Sequence, residues 1–136
     1  MRNIIFRGKR INRNGEWGYG DLRRFGGNTW VFPHDKDAAY DADKVDPETV
    51  GEFTGLMDMN GKGIFEGDII EYDYAQWVTP KRNKGRVFYD GGSFIVTVGI
   101  GAVVSMPIGF LYGDDMRNTV AVVGNVYDNP ELLKQK

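Results

Sequence analysis

Short runs in which apolar or aromatic residues alternate with polar ones recur from the beginning of the chain, and glycines separate them. Ile4 and Phe6 fall on one face of the first run, and Trp17 and Tyr19 fall on one face of the second. A period of two residues is typical of a half-buried β-strand. We therefore predict two strands here, with these four side chains in the core.

A turn signal separates these two runs. Residues 12–15 read Asn-Arg-Asn-Gly, and an Asn-Gly pair tolerates the positive φ angles that a tight hairpin demands. The pattern therefore predicts an N-terminal β-hairpin built from segments 2–11 and 16–22. A further short strand is predicted over Thr29–Phe32.

The segment that follows is polar and acidic. The stretch Asp35–Lys44 has little apolar surface to bury, so we expect an exposed loop or a short, frayed helix and the most flexible part of the chain. Asp46 followed by Pro47 is a good helix start, because Asp accepts hydrogen bonds from free amides and Pro fits a first turn. Gly51 is expected to end that helix within about one turn.

Strand patterns return after this segment and continue almost to the end of the chain. The turn signals between them are Asn60-Gly61 and Asp90-Gly91-Gly92. A last helical turn is predicted over Asp128–Leu133, with Asp128 or Asn129 as its cap and Pro130 in its first turn. The predicted strands cover 52–56, 68–74, 84–89, 93–99 and 120–127.

Several short strands separated by turn signals favour a small barrel or sandwich. No segment repeats at a fixed period, and a chain of 136 residues has the size of one domain. We predict a single domain over 1–136. Its parts are an N-terminal hairpin and strand (1–32), an acidic loop with a short helix (33–51), and a core with a C-terminal turn (52–136).

Composition narrows the setting in which the chain works. The sequence has no cysteine, which excludes disulfides, thiolate catalysis and Cys-ligated zinc, and which suits a reducing compartment. Its longest mainly apolar stretch, Phe94–Val104, is interrupted by glycines and is shorter than the ~20 residues that a membrane-spanning helix needs. The N-terminus lacks the apolar stretch of a secretory signal. We expect a cytoplasmic protein with no membrane partner.

The sequence carries no recognisable catalytic or metal-binding motif. His34 is the only histidine, so one chain cannot build a Cys/His or multi-histidine metal site. Residues 58–63 superficially resemble the start of a calcium loop, but Lys62 and Ile69 stand where oxygen ligands belong. No nucleophile elbow or phosphate loop is present. We predict a protein that is not an enzyme and needs no cofactor or metal, and keep an enzyme acting through the acidic loop as the third hypothesis.

Charge is unevenly distributed along the chain. The net charge is -2, but residues 1–30 carry seven basic and two acidic side chains, while the remainder carries ten basic and seventeen acidic ones. Such asymmetry suits a solvated exterior, contacts between subunits, or a nucleic-acid surface. Basic and aromatic residues that interleave in this way can bind phosphates and stack on bases. The candidate nucleic-acid-binding residues are Arg7, Lys9, Arg10, Trp17, Arg23, Arg24, Lys81, Arg82 and Lys84.

Three stretches together resemble the YopX family of phage and prophage proteins. They are 5–22, Val45–Ile69 and Val123–Leu133, and the middle one is the most specific. The resemblance implies a mainly β, SH3-like barrel and a phage or prophage origin, and it supplies no catalytic residues. The chain departs from the family pattern at Gly63 and over 75–116.

The residues of the middle stretch are of the types that shape the backbone. Gly55, Gly61 and Gly67 suit sharp turns, and the acids of Glu66-Gly67-Asp68 are available to bond free amides. We predict that this motif shapes the backbone and performs no chemistry.

The leading functional hypothesis is a phage-encoded, non-enzymatic accessory protein of a bacterial host cell that binds proteins or assembles with itself. The basic first 30 residues and the acid-rich stretch Asp35–Asp73 are expected to meet between subunits of a homo-oligomer. The alternative is a nucleic-acid-binding module that uses the basic N-terminal hairpin.

Overall fold

The computed structural model describes residues 3–11, 15–34, 42–76, 79–97, 105–112 and 119–133. The chain divides into two compact units, Met1–Gly55 and Leu56–Lys136. Strands dominate the described residues and short 3₁₀ turns make up the helical part, which confirms the prediction of a mainly β protein with short helical turns.

The first unit is built on an antiparallel sheet in the order β4-β3-β2-β1-β5. The strand β5 continues past the boundary between the units. The strands are β1 (Phe6–Lys9), β2 (Trp17–Phe25), β3 (Asn28–Phe32), β4 (Asp43–Val45) and β5 (Gly51–Met57).

Both hairpins at the centre of this sheet follow from local sequence. β1 pairs with β2 in a register that sets Lys9 opposite Trp17, which confirms the predicted N-terminal hairpin, although its turn residues 12–14 lie outside the described part. β2 and β3 are joined by Gly26 and Gly27, whose φ angles are 60° and 75°. Positive φ at both central residues is the signature of a two-residue hairpin turn.

The close-packed side of this sheet is lined by small residues. Gly8 lies opposite Gly18, and a methyl group placed on Gly8 would come within 2.8 Å of the Cβ of Val45. Val31 and Val45 are 0% and 1% exposed and form the apolar centre of the unit. Gly8 therefore leaves room for Val45 of β4, which an isolated β-bridge to Arg10 holds beside the end of β1.

The predicted core positions of this hairpin are wrong. Ile4 is 51% exposed and Tyr19 46%, while Phe6 and Trp17 are only half-buried. The register sets Phe6 opposite Gly20. Ile4 and Phe6 therefore lie on the face that carries the glycines, and Trp17 and Tyr19 lie on the opposite face. Apolar and polar residues do alternate along the strands, but the buried face of the sheet is the one lined by glycines.

The end of the acidic segment forms a strand of the sheet. Residues 35–41 lie outside the described part, so their predicted loop or helix stays a prediction, whereas Asp43–Val45 forms β4 and was not predicted as a strand. The predicted helix start is confirmed as a 3₁₀ turn over Pro47–Thr49. The Asp46 carboxylate accepts a hydrogen bond from the Glu48 amide at 3.0 Å.

The second unit contains an antiparallel sheet in the order β10-β9-β8-β7-β11. The end of β5 pairs with a short strand, β6, across the turn at residues 58–62. The strands are β6 (Gly63–Phe65), β7 (Asp68–Gln76), β8 (Thr79–Asp90), β9 (Ser93–Thr97), β10 (Ser105–Pro107) and β11 (Ala121–Asn125). Strands β6 and β10 and a 3₁₀ turn over Ile108–Tyr112 were not predicted.

The core of the second unit is apolar and continuous. Tyr72 lies within it, fully buried, and its hydroxyl donates a hydrogen bond to the Thr97 carbonyl at 2.8 Å. This bond satisfies the polar tip of an otherwise apolar ring. The buried cluster consists of Ile64, Ile70, Tyr72, Val87, Val96, Met106, Ile108, Leu111 and Val120.

The predicted SH3-like barrel is not confirmed. The described strands give a six-stranded and a five-stranded sheet, and neither strand order closes on itself. The predicted single domain and its three parts stay predictions beside the two compact units.

Candidate binding face

One face of the first sheet combines cations with aromatic rings. Residues directly opposite one another in an antiparallel pair share a face, as do residues two apart on one strand. The register therefore places four cations and five rings on the same side. We call this the ring-cation face, and its residues are Arg7, Lys9, Trp17, Tyr19, Arg23, Phe25, Trp30, Phe32 and Lys44.

Contacts across this face confirm the register. The Arg7 guanidinium lies 4.6 Å from the centre of the Trp17 ring, and the Lys9 ammonium lies 5.9 Å from it. The Arg23 guanidinium lies 4.8 Å from the centre of the Phe32 ring. Cations at these distances are attracted to the negative faces of the rings.

The far end of β2 carries a stacked pair of rings. Phe25 and Trp30 lie with centres 5.3 Å apart and planes 10° apart, and Phe25 is still 51% exposed. The Gly26-Gly27 turn sets Phe25 opposite Asn28. Trp30 lies two residues after Asn28 on the same face of the sheet, so the two rings are diagonal neighbours. A surface cavity of about 330 Å³ adjoins this end, and Arg24, Phe25, Gly27, Asn28 and Thr29 line it.

The acid on this face is paired. Among the described residues of β1 to β4, Asp21 is the one acid on the ring-cation side, and its Oδ1 lies 2.6 Å from His34 Nε2. Both side chains are exposed. His34 is therefore a surface residue beside the sheet. Among the described residues, no group of three or more His, Cys, Asp or Glu side chains could hold a metal ion.

The predicted site residues of the first unit separate into two sets. Lys9, Trp17 and Arg23 lie on the ring-cation face, together with Arg7, which is 4% exposed and therefore closed to a ligand. Arg24 is exposed but lies opposite Thr29 on the other face.

Arg10 also lies away from the ring-cation face. Its Nη1 lies 3.1 Å from Glu16 and its Nε lies 3.0 Å from Asp43. Two carboxylates within the same unit therefore hold its charge.

The second basic cluster lies on β8, in the second unit, where acids of β7 face it. Lys84 stands opposite Glu71, and Arg82 stands opposite Asp73, with Nη1 and Oδ1 3.4 Å apart. Arg82 also donates to the Thr119 carbonyl. The side chain of Lys81 lies outside the described part. Opposite charges across the strand pair lower the net field of this cluster.

Asp58, in the family-like middle stretch, organises the loop between β5 and β6. Its Oδ1 accepts hydrogen bonds from the amides of Asn60 at 2.9 Å and Lys62 at 2.8 Å, and its Oδ2 accepts one from Val122 at 2.9 Å. Burial on its own would raise the pKa of Asp58, but the three amides and the nearby Lys62 charge outweigh it, so the pKa is lowered from 3.8.

Tyr112 stands close to the same loop. Its hydroxyl donates to the Met57 carbonyl at 2.8 Å. Burial, with a smaller contribution from the Asp58 charge, raises the pKa of Tyr112 to about 12. The phenol therefore stays protonated and acts as a hydrogen-bond donor.

Other polar side chains of the family-like stretches also bond backbone amides. The buried Asp68 accepts from the Phe65 amide at 2.8 Å, across Gly67, whose φ is 94°. Just before the C-terminal 3₁₀ turn, which spans Pro130–Leu133, the Asn129 side chain accepts from the Asn125 amide at 3.2 Å. These bonds agree with the prediction that the motif is architectural.

Sequence reasoning missed Phe25, Trp30, Phe32 and Lys44 as members of the ring-cation face. The signal that could have found the three rings is Gly26-Gly27, since a two-residue glycine turn fixes which residues of β2 and β3 stand opposite each other. Lys44 could not be found in this way, because β4 follows an acidic stretch with no strand signal.

The comparisons with known proteins give a family and a fold. No curated protein matches the chain. A solved structure described as the crystal structure of protein EF1440 from Enterococcus faecalis is 23% identical, with a TM-score of 0.53, and the match covers 98% of this chain and 100% of that one. That likeness concerns the fold alone. Among the described residues, no helix is both long enough and apolar enough to cross a bilayer. The model of the YopX protein family matches residues 12–134, so the chain belongs to the YopX family.

Proposed function

We propose that this protein is a non-enzymatic, phage- or prophage-encoded accessory protein that binds an anionic partner through its ring-cation face. The observation that carries the proposal is the register of β1 to β4, which gathers cations and rings on one side of the sheet. Arg23 and Lys44 are exposed on that side. Cations gathered on one face attract polyanions, which release counterions on binding, so affinity depends on salt.

The small number of acids on the ring-cation face supports this proposal. Among the described residues of β1 to β4, Asp21 is the one acid on that side, against four cations. The second basic cluster lacks this advantage, because Glu71 and Asp73 stand opposite Lys84 and Arg82. The ring-cation face is therefore the better place for an anionic ligand.

Titration of labelled polyanions into the full chain tests the proposal. The probes are a heparin-derived oligosaccharide, polyglutamate and an oligothymidylate, each at low and high salt. The double variant R23Q/K44Q is expected to weaken binding and lower the salt slope by about two. The control K84Q/R86Q removes the same charge from β8 and is expected to bind like the wild type. Absence of salt-dependent binding to every probe would refute the proposal.

Self-association is a second candidate, and exposed apolar side chains of the second unit favour it. Phe110 is 66% exposed, Met59 56% and Met57 47%. The expected contact between basic and acidic segments of two subunits is weakened, since Arg10 already pairs with Asp43 within the chain. Light scattering over a range of concentration and salt tests this candidate, and a strict monomer throughout would exclude it.

A further inference from the structure

The rings of the ring-cation face identify the partner more narrowly, and this inference rests on the proposed function. We propose that the partner is single-stranded nucleic acid, with bases stacked on Phe25 and Tyr19 and phosphates held by Arg23 and Lys44. Phe25 is 51% exposed and Tyr19 46%. An exposed ring on a sheet surface can stack only on a base that is not already stacked within a duplex.

The spacing of side chains along β2 suits this ligand. Tyr19, Asp21, Arg23 and Phe25 project from the same face of the strand, and side chains two residues apart are about 7 Å from each other. The cation Arg23 therefore stands between two rings that span about 20 Å, beside Asp21, whose carboxylate bonds His34. Lys44 adds a second cation beside them, opposite Trp30 on β4. Rings and cations combined along a groove or face are how single strands are bound without sequence preference.

Phe25 and Arg23 are held by other rings of the face before a ligand arrives. Phe25 lies on Trp30 with ring centres 5.3 Å apart, and Arg23 lies on Phe32 at 4.8 Å. A guanidinium that rests on a ring keeps its N–H donors at its rim, where a phosphate can accept hydrogen bonds. Side chains that are already ordered lose little conformational entropy on binding.

Other anions use this surface less fully. Polyglutamate and heparin oligosaccharides carry charges but no planar aromatic groups, so they would leave Phe25 and Tyr19 in water. Duplex DNA presents its phosphates while its bases stay stacked, so it too contacts only the cations. Single-stranded nucleic acid is the ligand that engages both halves of the face.

The test compares ring-dependent with charge-dependent binding in the full chain. The probes are a labelled oligothymidylate of about 15 nucleotides, within the site sizes of single-strand-binding folds, its duplex, and a heparin-derived oligosaccharide. Each is titrated by fluorescence anisotropy into the wild type, Tyr19→Leu, Phe25→Leu and the double variant. Leucine keeps apolar area and removes the ring. Phe110→Leu is the matched control, because Phe110 is an exposed ring of the second unit.

The single strand is expected to bind more tightly than the duplex, and each ring substitution to weaken single-strand binding about tenfold. Heparin binding should stay at the wild-type level in all variants, and Phe110→Leu should bind every probe normally. Equal binding of single strand and heparin, tighter duplex binding, or ring variants that bind like the wild type would overturn this inference and leave the proposed function standing. If none of the polyanions binds, the proposed function itself is overturned.

Discussion

Replacement of Asp58 by asparagine is the sharpest test of the structural role assigned to the family motif. The carboxylate is 4% exposed and accepts three amide hydrogen bonds, two on one oxygen and one on the other. Asparagine has nearly the same shape but only one acceptor oxygen, so its amino group must face a backbone donor.

The size of the stability loss depends on which hydrogen bonds the asparagine side chain keeps. If the asparagine oxygen keeps the Asn60 and Lys62 amides, the amino group meets the Val122 amide and that donor loses its partner. A lost hydrogen bond to a charged group costs about 1.5–3 kcal/mol, and an unsatisfied buried donor about 1–3 kcal/mol, with partial overlap between the two. We expect Asp58→Asn to lower the free energy of unfolding by about 2–4 kcal/mol.

Urea denaturation followed by circular dichroism measures this loss, and hydrogen exchange at the Val122 amide reports it locally. Asp46→Asn is the matched control: its carboxylate also bonds a backbone amide, at 3.0 Å, but in a cap where asparagine serves equally well. That variant is expected to change stability by less than about 0.5 kcal/mol.

The difference between wild type and Asp58→Asn should also depend on pH. Since the folded protein lowers the pKa of Asp58 from 3.8, the ionised carboxylate stabilises the fold above that value, and the benefit is lost as pH falls through the folded pKa. The gap between the two proteins should therefore narrow below about pH 4. Equal unfolding free energies for Asp58→Asn and Asp46→Asn, or a gap that does not change in acid, would refute the reasoning.

Three further predictions concern packing and hydrogen bonding. Gly8→Ala should destabilise the protein by about 1–3 kcal/mol in urea denaturation, because the methyl group would lie 2.8 Å from buried Val45, whereas Gly109→Ala, which meets nothing within 4 Å, should be nearly neutral. Tyr112→Phe should cost about 0.5–1.5 kcal/mol. It should also remove a loss of stability that the wild type shows as pH rises from about 10 toward the folded pKa of about 12, measured by denaturation at alkaline pH. Asn129→Ala should cost about 1 kcal/mol and increase amide exchange in the C-terminal turn, and unchanged exchange there would contradict the assigned bond.

Local signals in the sequence predicted several of the turns between strands. Asn60-Gly61 and Asp90-Gly91-Gly92 give turns because glycine adopts positive φ, and the structure has φ values of 81° at Gly61 and 59° at Gly91. Such signals act over a few residues and are readable without knowledge of the rest of the chain.

Which face of a strand is buried could not be predicted in the same way. A period of two defines two faces but does not say which one packs, and Gly8 and Gly18 look like turn residues although they line the packed side. The role of Asp58 was also hidden, since its partner Val122 lies 64 residues further along the chain. Contacts of that range depend on the whole topology.

The burial of small residues on one side of the first sheet leaves exposed positions on the other side tolerant of change. Close packing by Gly8, Val31 and Val45 lies on the far side from Tyr19, Arg23 and Phe25, so substitutions at these exposed positions need not disturb it. A sheet that packs closely through one face can acquire new ligands by mutation of the exposed positions on the other. Randomising the exposed positions of β2 would therefore turn this protein into a scaffold for selecting binders.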